Sequence, residues 1–179
     1  MKIGIFGGTF DPFHMGHLAI AKKALKKVDK VVIVPTICNY YRQDKRYLFT
    51  FDEKVQIIEE MILGVQNVEI DTIEKGQDSK WRTINTVEYF KQKYPNDEIV
   101  LIIGEDSLAD FHTWFRYEDI LGLCTLLVAN RGNKIRRDIP YDVLNIGKSF
   151  EESSSSRVRN ALIEELIDLY LGDKQYYGY

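Results

Sequence analysis

At 179 residues the chain is long enough for one domain with a sizeable core, and 45% hydrophobic with 28% charged residues is the balance of an ordinary globular protein. Its 24 basic and 27 acidic residues leave a formal charge of -3, which argues against a long nucleic-acid surface but leaves room for a local basic cluster on a small anion. The two cysteines, Cys38 and Cys124, lack disulfide-framework or zinc-site spacing, no apolar run is long enough for a bilayer, and the N-terminus has no secretory pattern, so a cytoplasmic location without membrane or nucleic-acid partners is expected.

Lys2–Phe6 reads as the first strand. Met15–Val28 has helical periodicity, with Leu18, Ala21, Leu25 and Val28 on one face. Lys30–Pro35 (KVVIVP) is a short apolar run of the kind buried in parallel sheets. Phe51–Leu63 reads as a helix, Val68–Asp71 as a strand and Thr83–Lys93 as a helix. Glu98–Ile103 (EIVLII) is the next buried strand, Leu123–Ala129 another, and Val143–Ile146 an edge strand. Ser156–Leu171 closes the chain as an amphipathic helix, and residues 172–179 form a tyrosine-rich tail.

This alternation predicts an α/β fold: a Rossmann-like, doubly wound parallel sheet in a single domain spanning residues 1–179. Such sheets bind ligands outside the carboxyl ends of their strands. The loops to inspect therefore follow Phe6, Pro35, Asp71, Ile103 and Ala129.

The first of them reads Gly7-Gly8-Thr9-Phe10-Asp11-Pro12-Phe13-His14-Met15-Gly16-His17. Gly7 and Gly8 let the backbone approach a ligand closely. A helix starting near Met15 turns open amides and its positive dipole end toward that loop. His14 and His17, two of the chain's three histidines, are three residues apart and share a face of the first turn, with Gly16 leaving room between them. Imidazoles, open amides and a glycine gap suit a polyphosphate whose charge moves during reaction.

At the closing helix, Ser153-Ser154-Ser155-Ser156-Arg157-Val158-Arg159 offers a second phosphate site. Serine is a strong N-cap, the hydroxyls of Ser155 and Ser156 join free helix amides, and the fork of Arg159 can hold phosphate oxygens. In the middle, Gly104 permits close approach after a buried strand. Asp106 either accepts from ribose hydroxyls or caps the next helix, and Trp114 either lines a pocket or packs in the core. His112 reads as a surface or capping residue.

The stretch GGTFDPFHMGH closely resembles the H-x-G-H nucleotidyltransferases, and within them the bacterial nicotinate-nucleotide adenylyltransferase family. The likeness runs from Lys2 to about Leu171. It implies joining of nicotinate mononucleotide to the AMP part of ATP, with Mg2+ accompanying the ATP and pyrophosphate released. It assigns His14 and His17 to the ATP phosphates, beside Thr9 and Phe10 of the same loop. The serine run resembles the family's I-S-S-T-x-I-R, with Ser156 at the threonine and Arg159 at the arginine. Gly104 and Asp106 fall at the family's ribose contacts, Trp114 at its nicotinate border, and Arg131 at a basic position after the strand ending near Ala129.

Several positions depart from the family pattern. Arg42 keeps a basic group in the loop after the second strand, but Tyr41 replaces histidine and both usual prolines are missing. Lys54 stands for an arginine, and Trp81-Arg82-Thr83 for Ser-Tyr-Thr, where only Thr83 and Thr86 match. These departures cluster on the acceptor side, around Arg42 and Thr83. They keep open another phosphate acceptor, such as nicotinamide mononucleotide or phosphopantetheine, as well as a catalytically silent nucleotide-binding protein. A dinucleotide-binding oxidoreductase lacks its G-x-G-x-x-G here, and a tRNA synthetase relative would be larger and more basic.

Overall fold

The computed structural model describes residues 1–37, 47–78, 80–130, 139–146 and 162. Its strands are β1 (Lys2–Gly8), β2 (Lys30–Pro35), β3 (Val68–Ile70), β4 (Glu98–Gly104), β5 (Thr125–Asn130) and β6 (Asp142–Asn145). Its helices are α1 (Met15–Ala24), α2 (Phe51–Ile62), α3 (Thr83–Lys93), α4 (Glu105–Asp110) and α5 (Tyr117–Leu123), with a single 3-10 turn at Phe111–Thr113 between the last two.

The strands form one six-stranded sheet in the order β3-β2-β1-β4-β5-β6, every pair parallel. This is the doubly wound order of dinucleotide-binding folds, and it confirms the expected fold class. The winding reverses between β1 and β4, with β2 and β3 added on one side of β1 and β4 to β6 on the other, so the crevice for a ligand opens above the carboxyl end of β1.

The apolar runs become central strands because both faces are covered. Val31, Val32, Ile33 and Val34 are all fully buried, and Ile5, Ile99 and Ile102 are at most 1% exposed. One face packs on α1 and α2 through Ala21, Ala24 and Ile58, the other on α3 and α5 through Val87, Phe90 and Ile120. Thr50 and Glu53 cap α2 reciprocally, the Thr50 N–H donating to Glu53 at 2.7 Å and the Glu53 N–H to Thr50 Oγ1 at 3.3 Å.

Several expected boundaries shift. β1 runs on through Gly7 and Gly8, which pair with Val34 and Pro35, so the first loop starts at Thr9. Helix α1 ends at Ala24 and not Val28, because Lys26 and Lys27 turn tightly onto the carbonyls of Lys23 and Ala24. Val28 stays buried all the same. Leu123 ends α5 instead of opening a strand, and β6 begins at Asp142 on the sheet edge. Of the expected closing helix only Leu162 is described, and it is helical; the tail lies outside the described residues.

Among the described residues no helix is long and apolar enough to cross a membrane. Cys124 sits in the core, donating to the Ile120 carbonyl at 3.2 Å, and burial pushes its thiol up to about 12, out of nucleophile range. A cavity of about 480 Å³ beside it, lined by Glu98, Thr125 and Asp142, opens at the amino ends of β4–β6, opposite the ligand crevice.

Candidate active site

The site starts with aromatic packing beneath the first loop. Phe10 is 3% exposed and takes a left-handed backbone, φ 44°. Its ring meets Phe6 at 5.3 Å and Phe13 at 5.2 Å, both edge to face, and His17 at 5.0 Å. A Cβ on Gly8 would stand 2.7 Å from that ring, so the glycine is demanded by Phe10. A Cβ on Gly7 would meet nothing within 4 Å, and Gly7 is exposed, which leaves its backbone open to a ligand.

The loop is also tied down from outside. Asp11 is 1% exposed, and its carboxylate accepts the backbone N–H of Leu48 at 3.1 Å and of Phe49 at 3.0 Å. The first loop and the lead-in to α2 are thus one unit. Lys54, on α2, is equally buried, with its ammonium 4.4 Å above the Tyr47 ring. Asp11 thus ties down the loop that carries the histidines.

His14 caps α1. Its Nδ1 accepts the Gly16 N–H at 3.1 Å, and the Nδ1 of His17 accepts the His14 N–H at 3.2 Å. The Gly16 amide is therefore taken by His14 and is not among the open amides expected at the start of α1. The two rings stack with centroids 3.7 Å apart and planes 25° apart. An accepting Nδ1 puts the proton of a neutral imidazole on Nε2, so both rings become Nε2–H donors on one face of the first turn. No acidic residue occupies that turn to offset the positive helix end.

Across the crevice, Gly104 ends β4 and caps α4, with open space where a Cβ would stand. Asp106 is exposed inside the first turn of α4, which removes its alternative as the cap. Thr83 is the first residue of α3. Trp114 is half-buried against Phe111, ring centroids 5.1 Å apart, and packs on the core from its edge, while His112 is exposed on the 3-10 turn. Arg42, Arg131, Ser155, Ser156 and Arg159 lie outside the described residues.

With this geometry in hand, comparison places the chain. The profile of the cytidylyltransferase-like family matches residues 5–161. The chain belongs to that family. A protein of Aliarcobacter butzleri strain RM4018 carrying the name probable nicotinate-nucleotide adenylyltransferase is 34% identical over 151 residues, covering 82% of this chain and 81% of its own. One of the same name from Listeria monocytogenes serotype 4a is 29% identical over 185 residues, covering 99% of this chain and 97% of its own. Among solved structures, the Plasmodium falciparum nicotinic acid mononucleotide adenylyltransferase complexed with NaAD superposes with a TM-score of 0.73 at 23% identity, covering 89% of this chain and 82% of that one, a likeness of fold. The family match takes in the histidine loop, β4 and the serine run in one stretch.

One group at the site escaped the sequence. Glu74, in the loop after β3, is half-buried, and that desolvation lifts its carboxyl to about 7 against the hydrogen bonds it accepts from Thr86 and the Ile37 backbone. A lone glutamate in a polar loop carries no sequence signal; only the fold brings it under α3.

Proposed function

We infer that this chain is a nicotinate-nucleotide adenylyltransferase. It joins nicotinate mononucleotide to the AMP part of ATP, giving deamido-NAD and pyrophosphate in NAD biosynthesis. The observation that carries the reading is the stacked His14–His17 pair above the carboxyl end of the central strand, in a family member 34% identical to a relative bearing that name.

In this reading an oxygen of the acceptor phosphate attacks the α-phosphorus of ATP in line. The bond from that phosphorus to the bridging oxygen breaks, and pyrophosphate carries away the electron pair. No residue of the chain is covalently modified. Positioning and charge stabilisation supply the rate, as in other phosphoryl-type transfers. The Nε2–H groups of His14 and His17 meet the triphosphate and the charge that develops on it. Gly7, Gly8, Thr9, Phe10 and Gly16 shape that half of the site. Gly104 and Asp106 hold the ribose. Arg159, Ser155 and Ser156, with Arg42, hold the β- and γ-phosphates, and Thr83, Trp114 and Arg131 border the acceptor with Arg42.

Among the described residues no group of three or more His, Cys, Asp or Glu side chains could hold a metal. In this reading Mg2+ arrives on the ATP phosphates, which with water supply most of its oxygen ligands. Residues 1–179 act as one catalytic unit in the cytoplasm.

The test is pyrophosphate release from ATP and Mg2+ with nicotinate mononucleotide, beside nicotinamide mononucleotide, phosphopantetheine and a blank without acceptor. Strong preference for nicotinate mononucleotide is expected. Equal or better release with another acceptor replaces the substrate, and release with none of them rejects the activity.

A further inference from the structure

On the acceptor side, three segments meet at one half-buried carboxylate. Ile37 follows β2, Glu74 follows β3, and Trp81 and Thr86 flank the start of α3. Glu74 Oε1 accepts the Thr86 hydroxyl at 3.1 Å, and the same hydroxyl oxygen accepts Trp81 Nε1–H at 2.9 Å. The Ile37 backbone N–H donates to Glu74 as well. Indole nitrogen can only donate, so the Thr86 oxygen must receive it and spend its own proton on Glu74. An ionised Glu74 can only accept, which fixes the order Trp81 to Thr86 to Glu74. A protonated Glu74 can itself donate to Thr86, and the order is lost.

The charged groups nearby are engaged elsewhere. Lys75 pairs with Asp52, Lys93 with Asp71 and Lys30 with Glu69, Asp78 accepts the Lys80 N–H, and Arg82 donates to the Trp81 carbonyl. The chemistry of the histidine loop makes no use of Glu74, yet its partner Thr86 sits one turn from Thr83 and Trp81 two residues before it.

We propose that Glu74 is a positioning residue for the acceptor nucleotide: its carboxylate orients Thr86, and through it the Trp81 indole, so that the first turn of α3 and the segment after β2 present a fixed wall at Thr83. This rests on the adenylyltransferase reading, with Thr83 on the acceptor side. It gives the unusual Trp81 a function, since the indole supplies the donor that orders the chain of bonds.

Steady-state kinetics on Glu74→Ala, Glu74→Gln and Thr86→Val test it. Glu74→Ala and Thr86→Val are expected to raise KM for nicotinate mononucleotide about tenfold or more, the scale of a lost hydrogen bond to a charged group, with KM for ATP changed less than about twofold. Glu74→Gln, whose amide oxygen still accepts from Thr86, rescues most of that loss. It also removes the component of the wild-type acceptor KM that titrates near pH 7. In a Trp114→Phe protein Trp81 is the sole tryptophan, and its emission titrates near pH 7 only when Glu74 is present. Both KM values rising together, or an emission titration unchanged in the Glu74→Gln, Trp114→Phe protein, overturns the proposal. If the wild type does not turn over nicotinate mononucleotide, the activity reading falls, and the emission titration still decides for or against the Trp81–Thr86–Glu74 chain. Should Glu74→Ala fail to fold, Thr86→Val and Glu74→Gln carry the comparison.

Discussion

His14 and His17 hold each other through the backbone, the Nδ1 of each accepting an N–H from the same helical turn while the rings stack 3.7 Å apart. Each ring is thus oriented by the fold before any ligand arrives. Replacing His17 with alanine removes one preorganised donor and is expected to lower kcat by ~100-fold or more. His14→Asn separates capping from chemistry, because the asparagine oxygen can still accept the Gly16 N–H. Its thermal midpoint should stay near that of the wild type while kcat falls. The double variant should cost less than the product of the single losses, since the two rings act as a unit.

Gly7 and Gly8 are adjacent, but only Gly8 should be intolerant of a methyl group. At Gly8 an alanine methyl collides with the Phe10 ring at 2.7 Å, and that ring is wedged among Phe6, Phe13 and His17. Gly8→Ala is expected to cost about 1–3 kcal/mol in urea unfolding and to lower kcat through His17. Gly7→Ala has open space, so its stability should stay within about 0.5 kcal/mol of the wild type. A rise in KM for ATP at unchanged stability would mark Gly7 as a point of ligand approach.

Burial raises the Glu74 carboxyl from its ordinary 4.5 to about 7. Below about 4.5 both folded and unfolded chains keep the proton. Between 4.5 and 7 the unfolded chain has released it while the folded one retains it, so stability falls as pH rises through that window. The full loss, reached above pH 7, is on the order of 3 kcal/mol. Urea unfolding at pH 4.5 and pH 8 should show this decline in the wild type and a much smaller one in Glu74→Gln. Equal declines would place the titrating group elsewhere.

Asp11 satisfies the backbone N–H groups of Leu48 and Phe49 from a fully buried position. Asp11→Ala leaves those donors without it and is expected to cost about 1–3 kcal/mol. Limited proteolysis should then open the chain first around Leu48–Thr50, ahead of α2. Asp11→Asn, which keeps one accepting oxygen, should fall between the two.

The central strands were legible because a strand covered on both faces reads as an unbroken apolar run, as in KVVIVP and EIVLII. α4, α5 and the 3-10 turn between them were not, since elements of 6, 7 and 3 residues span too few turns to show a helical period. The histidine pair could be read from spacing alone, because three residues on one helical turn fix a shared face. The chain from Trp81 through Thr86 to Glu74 could not be, because Glu74 meets Trp81 and Thr86 only when the connection from β3 folds back on the start of α3, and nothing in its spacing announces that fold. Gly8 was credited to the ligand, and its true constraint, the Phe10 ring, depends on a left-handed turn that the sequence does not announce.

The strand that carries the histidine loop is paired on both sides along nearly its whole length, to β2 from Ile3 to Gly8 and to β4 from Lys2 to Phe6. Its amides should therefore be among the last to exchange with deuterated solvent, and those of three-residue β3 and the edge strand β6 among the first. Fluctuations that admit nucleotide or let the dinucleotide depart can thus run through the rims of the sheet while the ground under the two imidazoles stays still. The molecule can breathe at its margins on every turnover without rebuilding the loop that carries His14 and His17.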